Sequence, residues 1–305
     1  MNSFRQLASA AFCIFLLIVT LLPSATAQEL EPRAYANLPK GTNAIALVYG
    51  YSAGNVLTDP SRPISDGKIK AHTLGIGYVR TFGLFNKLAR VQLTWPFSFL
   101  SGTAKVGGMD TSTARNGFSD ARIRIGINLL GSPALSPKEF RTFKQKTILG
   151  VSLVTSIPLG LYYPQKLINL GANRWGFKPE IGVSQRWQHF YAEAYAGVWF
   201  YTDNTSYLGN KVQSQAPVYS FQAHTNYIFN NQMWIGLNGN WFSGGVTKVD
   251  GKAVGNLENN WRIGATFGVP VSKQHSLKAQ FHIGAFTNTG YDYNIVMLSW
   301  QYVFF

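Results

Sequence analysis

The chain is poor in cysteine, in charge and in long apolar runs. Its single cysteine among 305 residues is Cys13, which lies in an apolar N-terminal stretch. The mature protein is therefore expected to hold no disulfide, no free thiol and no cysteine metal site. Charged residues make up 13% of the chain, against about 25% in an ordinary globular domain, so the usual water-facing surface is missing. Beyond the N-terminus no apolar run reaches the roughly 18 residues of a membrane helix, which argues against a helical membrane protein. Acids are scarcer than bases, 13 against 27, and the formal net charge is +14.

What is present is apolar and aromatic: 46% hydrophobic residues and 14% aromatics. That balance suits a wall facing lipid. The N-terminus reads as an export signal, with Arg5 as the positive region, an apolar run over 8–22 and the small-x-small site Ala25-Thr26-Ala27. The run is shorter than the roughly 20 residues a spanning helix needs, so cleavage is expected after Ala27. The division that follows is 1–27 signal peptide, 28–40 periplasmic lead-in and 41–305 barrel. The lead-in has no periodicity and holds Pro32 and Pro39. An exported chain seldom meets nucleic acid. The basic excess points instead to anionic lipid headgroups and lipopolysaccharide at the rims, or to anionic solutes in a lumen.

From residue 44 onward apolar residues recur at every second position, the period of a strand with one apolar face. The clearest case sets Ile123, Ile125 and Ile127 against Arg122, Arg124, Gly126 and Asn128. The last stretch sets Val296, Leu298, Trp300, Tyr302 and Phe304 on one face. An open aromatic edge there would invite aggregation, and a last strand paired with the first removes it. About twelve such segments of about ten residues alternate between long and mostly short connections, with aromatics at their ends, the pattern of bacterial outer-membrane barrels. The fold expected is all-β, a transmembrane antiparallel up-and-down β-barrel. The rival, a soluble β-sandwich, spends many charges on its solvated faces, and this chain does not. Residues 101–117 read as a loop rich in Gly, Ser and Thr. Ser136-Pro137-Lys138-Glu139 reads as the start of a short helix with Ser136 as N-cap.

Turning the weaker polar faces inward gives the candidate lumen. Its bases are Arg90, Arg122, Arg124, Lys178, Arg186, Arg262 and Lys278. Its acids include Glu180 and Glu193, its histidines are His224 and His282, and its aromatics include Tyr195 and Trp199. These charges either line a water-filled path that favours anions or pair with one another and fill the barrel. The inward aromatics either stack on an aromatic or sugar ring or serve as packing.

Several stretches resemble the family of the MetA pathway of phenol degradation. They are Asn55-Val56-Leu57-Thr58-Asp59-Pro60, Asn128-Leu129-Leu130-Gly131-Ser132-Pro133-Ala134-Leu135 and Leu167-Ile168-Asn169-Leu170-Gly171-Ala172-Asn173-Arg174-Trp175-Gly176-Phe177-Lys178-Pro179-Glu180, together with Ala194-Tyr195-Ala196-Gly197-Val198-Trp199-Phe200. The resemblance runs over essentially the whole mature chain. It implies an outer-membrane barrel of transporter type, tied to phenol catabolism by association with catabolic genes. No motif in it assigns a substrate. Outer-membrane barrels close on aromatic-x-Phe, a signal read by the barrel-assembly machinery. Here Trp300, Tyr302 and Phe304 fit, with an additional Phe305 behind them.

The function expected is a channel of the Gram-negative outer membrane for small solutes, aromatic or anionic ones among them, with no cofactor. A non-conducting structural or adhesive barrel is the alternative. A hydrolase is the third class, but there is no Gly-x-Ser-x-Gly elbow, no His-x-Ser-Asn-Gly signature and no metal-like spacing among His72, His189, His224, His275 and His282.

Overall fold

The computed structural model describes residues 30–57 and 64–305. The expected signal peptide, with Ala25 and Ala27, lies outside the described residues. The alternating segments form strands β1 (Asn43–Leu57), β2 (Ile64–Leu84), β3 (Lys87–Val106), β4 (Met109–Phe118), β5 (Ala121–Leu130), β6 (Thr147–Ile157), β7 (Gly176–Trp187), β8 (Phe190–Tyr201), β9 (Asn204–Tyr207), β10 (Lys211–Gln215), β11 (Val218–Ile228), β12 (Trp234–Gly244), β13 (Thr247–Val249), β14 (Lys252–Ala253), β15 (Glu258–Pro270), β16 (His275–Phe286) and β17 (Gly290–Phe304).

The main sheet is antiparallel and runs β2-β1-β17-β16-β15-β12-β11-β8-β7-β6-β5-β3-β4, and β2 also pairs with β3, which closes the cylinder. The seam joins the chain's first and last strands, from Asn43↔Phe304 to Leu57↔Gly290. Of these thirteen strands, β4 and β5 share one place in the wall. The upper part of β3 pairs with β4 from Phe97↔Phe118, and its lower part pairs with β5 up to Thr94↔Arg122. The wall is thus twelve strands round. Pro96, which cannot donate to a ladder, falls at the step between β4 and β5, where its carbonyl accepts from the Ser119 amide at 2.8 Å. Pro179 does interrupt pairing: the β7–β8 ladder passes from Phe177↔Phe200 directly to Glu180↔Gly197.

The inside and outside of the cylinder are inverted relative to a soluble protein. Outward Leu47, Ile76, Ile125 and Leu237 are 52–62% exposed, whereas Arg124, Glu180 and His282 are 6%, 5% and 1% exposed. An apolar belt around a polar interior is what lipid requires of a spanning barrel. Aromatics gather toward the ends of the belt, as in Trp95 against Phe118 at 4.5 Å and Tyr51 against His72 at 4.7 Å.

Three expectations change. Residues 101–117 are not a loose loop: β3 and β4 continue through them as a hairpin that turns at Gly107 and Gly108, both at positive φ. The long connections also build a small second sheet, β14-β13-β10-β9. The short helix α1 (Pro137–Phe140) forms as expected, capped by Ser136, with the Glu139 carboxylate accepting from the Ser136 amide at 2.8 Å. The largest difference concerns the lead-in. Residues 30–40 of it are described, and they do not hang free of the barrel. They enter from the short-turn end, where the Lys40 amide donates to the Leu135 carbonyl at 2.7 Å and Gly41 to Thr81 at 3.0 Å. They then run inside the lumen, where Leu30 and Tyr35 are each only 2% exposed.

Candidate lumenal site

The segment 30–37, here called the tail, forms no strand. Its backbone polar groups must therefore find side-chain partners, and inward residues of five wall strands supply them. Arg90 on β3 donates to the carbonyls of Ala34 and Ala36 at 2.7 and 2.6 Å. Asn128 on β5 donates to the Tyr35 carbonyl at 3.2 Å. On β8 the Glu193 carboxylate accepts from the Arg33 amide at 2.7 Å, and the Tyr195 hydroxyl accepts from the Ala34 amide at 3.2 Å. Gln222 on β11 accepts from the Glu31 amide at 3.3 Å, and Gln280 on β16 donates to the Leu30 carbonyl at 3.5 Å.

Tyr35 is the anchor. Its hydroxyl meets Ser152 Oγ on β6 at 3.0 Å and Glu180 Oε1 on β7 at 3.2 Å. Its ring meets the edge of Tyr195 at 5.1 Å. The ring has room because two inward glycines stand opposite each other, Gly150↔Gly182. A Cβ on Gly150 would come within 2.4 Å of that ring, and one on Gly182 within 2.2 Å.

Around the anchor lies a buried ion cluster. Arg124 on β5 pairs with Glu31 of the tail and with Glu180 of the wall, and its Nε donates to Ser152 at 3.1 Å. Lys178 Nζ lies 2.7 Å from the other oxygen of Glu180. Two cations and two carboxylates balance. That balance is required, since each charge taken out of water costs several kcal/mol unless paired. A cavity of about 30 Å³ lies between Glu31, Arg122, Lys178, Trp199, Gln222 and Asn240, room for about two waters.

Of the residues singled out from the sequence, Arg90, Arg124, Lys178, Glu180, Glu193 and Tyr195 converge on the tail. Arg122 and Lys178 lie over the Trp199 ring at 5.8 and 5.5 Å. His224 sits 5.0 Å from the Tyr195 ring and bonds Asn238 through Nδ1 at 2.9 Å. Arg262 and His282 belong to another part of the wall. There the Arg262 guanidinium covers the Tyr293 ring at 3.3 Å and donates to the Tyr293 carbonyl at 2.7 Å. Lys278 is half-buried on β16. Arg186 stays at the turn end, donating to the Gln188 carbonyl at 2.8 Å. On the outer face of β17, Trp300, Tyr302 and Phe304 stack in sequence, while Phe305 is exposed beyond the last strand pair. Parity alone does not mark Glu31, Arg33, Tyr35, Ser152, Gly150 or Gly182 as part of this site. The signal available was the pair of inward glycines on neighbouring strands, which leaves a hollow that something must fill.

The wall, the inverted burial and the closing seam match solved structures. An outer membrane channel from Pseudomonas putida F1 superposes with a TM-score of 0.74 at 18% identity, over 90% of this chain and 100% of that one. The transport unit of the autotransporter AIDA-I from Escherichia coli superposes at 0.52 with 12% identity, over 95% and 97%. At such identities the likeness is one of fold, and the fold is that of outer-membrane channels. No curated protein matches the sequence. The family described as "Putative MetA-pathway of phenol degradation" matches residues 40–293, and the chain belongs to it.

Proposed function

We propose that the protein is a channel of the Gram-negative outer membrane, exported by a signal peptide cut after Ala27. Small solutes, aromatic and anionic ones among them, cross it by diffusion when the tail gives way. The observation that carries this reading is the tail itself. The lumen holds a segment outside the wall ladder, fastened by side-chain contacts rather than by strand pairing. A barrel sealed for good needs only wall side chains. The assignment to aromatic compounds draws on the family's description and on Trp199 and Tyr195 beside the closure. The lean toward anions draws on the excess of bases over acids among the inward residues, Arg122 and Lys278 among them. We read the protein as a non-enzyme whose fold is completed by the barrel-assembly machinery acting on Trp300, Tyr302 and Phe304.

The second reading, a non-conducting barrel, is favoured by the balanced ion cluster and the small cavity. Planar-bilayer recording decides. The intact protein is expected to conduct weakly and intermittently, and a variant lacking residues 28–37 steadily. Silence from both at every voltage would establish the non-conducting barrel. A reversal potential in a salt gradient tests the charge preference, and cation selectivity would end the anion assignment.

A further inference from the structure

The outer face of β2 measures the membrane. Between Arg80 and Lys70 its outward positions are Tyr78, Ile76, Leu74 and His72. Ten residues at about 3.3 Å each, tilted by about 40°, rise roughly 25 Å, the height of the apolar band of such barrels. Lys70 thus marks the boundary at the long-loop end, and Lys68 stands one pleat above it. With both chain termini at the opposite end, this boundary faces the outer leaflet.

The neighbours in register suit a phosphorylated sugar. Lys70 stands between Ala53 and Ser101, and Lys68 between Asn55 and Thr103. One row below, His72 lies between Tyr51 and Phe99, an aromatic shelf at the height where acyl chains begin. Both lysines are exposed, and among the described residues neither enters an ion pair. The nearby acids are engaged elsewhere: Asp66 pairs with Lys105 at 3.3 Å, and Asp292 accepts from the Thr287 hydroxyl at 3.3 Å. Two ammonium groups on one face, about 7 Å apart, repel each other until an anion lies between them.

We infer that Lys68 and Lys70, with Ser101 and Thr103, dock the phosphorylated headgroup of an outer-leaflet lipid of the lipid A class, whose chains run down over His72 and Leu74. The inference rests on the outer-membrane placement proposed above. The test uses the barrel extracted from outer membranes into detergent, with its thermal unfolding midpoint titrated against diphosphoryl lipid A and a phosphate-free analogue. Diphosphoryl lipid A is expected to raise the midpoint. Lys68→Ala and Lys70→Ala each weaken binding about fivefold and the double variant roughly 25-fold, the worth of one lysine and of two at an anionic surface. Lys68→Arg with Lys70→Arg keeps binding, which separates lost charge from misfolding. Lys211→Ala with Lys252→Ala, in the loop sheet, leaves it unchanged. Wild-type affinity in the double alanine variant overturns the site, as does an equal shift by the phosphate-free analogue. Absence of the wild-type barrel from outer-membrane fractions overturns the placement instead, so the two failures are told apart.

Discussion

Gly182→Ala is the smallest change that should unseat the tail. The added Cβ would lie 2.2 Å from Tyr35 Cε2, 2.5 Å from Tyr35 Cδ2 and 2.8 Å from Tyr195 Cδ1, so something must move. The backbone of β7 is held in ladders on both sides, and Tyr195 is fixed between the tail and His224. Tyr35 belongs to a segment without a ladder, and it gives way. It then loses its two hydroxyl contacts, the Tyr195 edge contact and its burial. Truncating a buried aromatic costs about 3–5 kcal/mol. A displaced ring recovers part of that against other surface, so the tail's docking weakens by about 2–3 kcal/mol, a shift of roughly 30- to 150-fold toward the released state. Two assays follow it: open time in planar bilayers, and trypsin cleavage after Arg33, a bond sheltered where Arg33 lies over Tyr191 and Trp234 at 5.6 and 5.5 Å. Gly75→Ala is the control, since its Cβ would meet nothing closer than Val48 Cβ at 3.5 Å. If Gly182→Ala stays as closed and as resistant at Arg33 as wild type, the steric argument is wrong.

Other perturbations separate wall from tail. Arg124→Met strands the buried Glu180 carboxylate with Lys178 alone and should cost about 3–5 kcal/mol. Glu31→Gln should cost less, because the Glu31 side chain is 38% exposed and that of Glu180 only 2%; urea midpoints in detergent that rank the two in reverse would contradict the cluster's geometry. Phe304→Ala should reduce the heat-modifiable, folded fraction in outer membranes, since Phe304 pairs across the seam with Asn43. Removing Phe305, which is 67% exposed, should leave that fraction unchanged. Phe85→Gly should raise stability by about 1–2 kcal/mol, because Phe85 holds φ at +48° in the β2–β3 turn, where a side chain is strained; no gain in the unfolding midpoint would mean the turn is not strained.

The wall was readable because lipid on one side and water on the other impose a strict period of two. Ile123, Ile125 and Ile127 against Arg122 and Arg124 need no partner strand to be recognised. Where both faces of a strand meet water the period fades, and so Thr103, Ser112 and Thr113 read as loop although they pair in the β3–β4 hairpin. The same parity placed Arg124, Glu180 and Glu193 on the inner side, but it said nothing of what they hold. The tail has no period. Its position is fixed by contacts such as Arg33 with Glu193, 160 residues apart in sequence. The hollow that receives Tyr35 appears only once the β6–β7 register sets Gly150 beside Gly182. A sequence read one segment at a time sees two weak glycine positions there.

The closure is continuous with β1 and cannot be lost to dilution. Thr42 is fastened at the mouth, its amide donating to Thr81 Oγ1 at 3.0 Å. Tyr35 lies seven residues from that fastening, within a tether of about 25 Å. A released stopper on so short a leash keeps an effective concentration in the millimolar range or above. In the channel proposed above, each opening would therefore be followed by spontaneous recapture, and the pore would reset itself without a partner protein or an energy source.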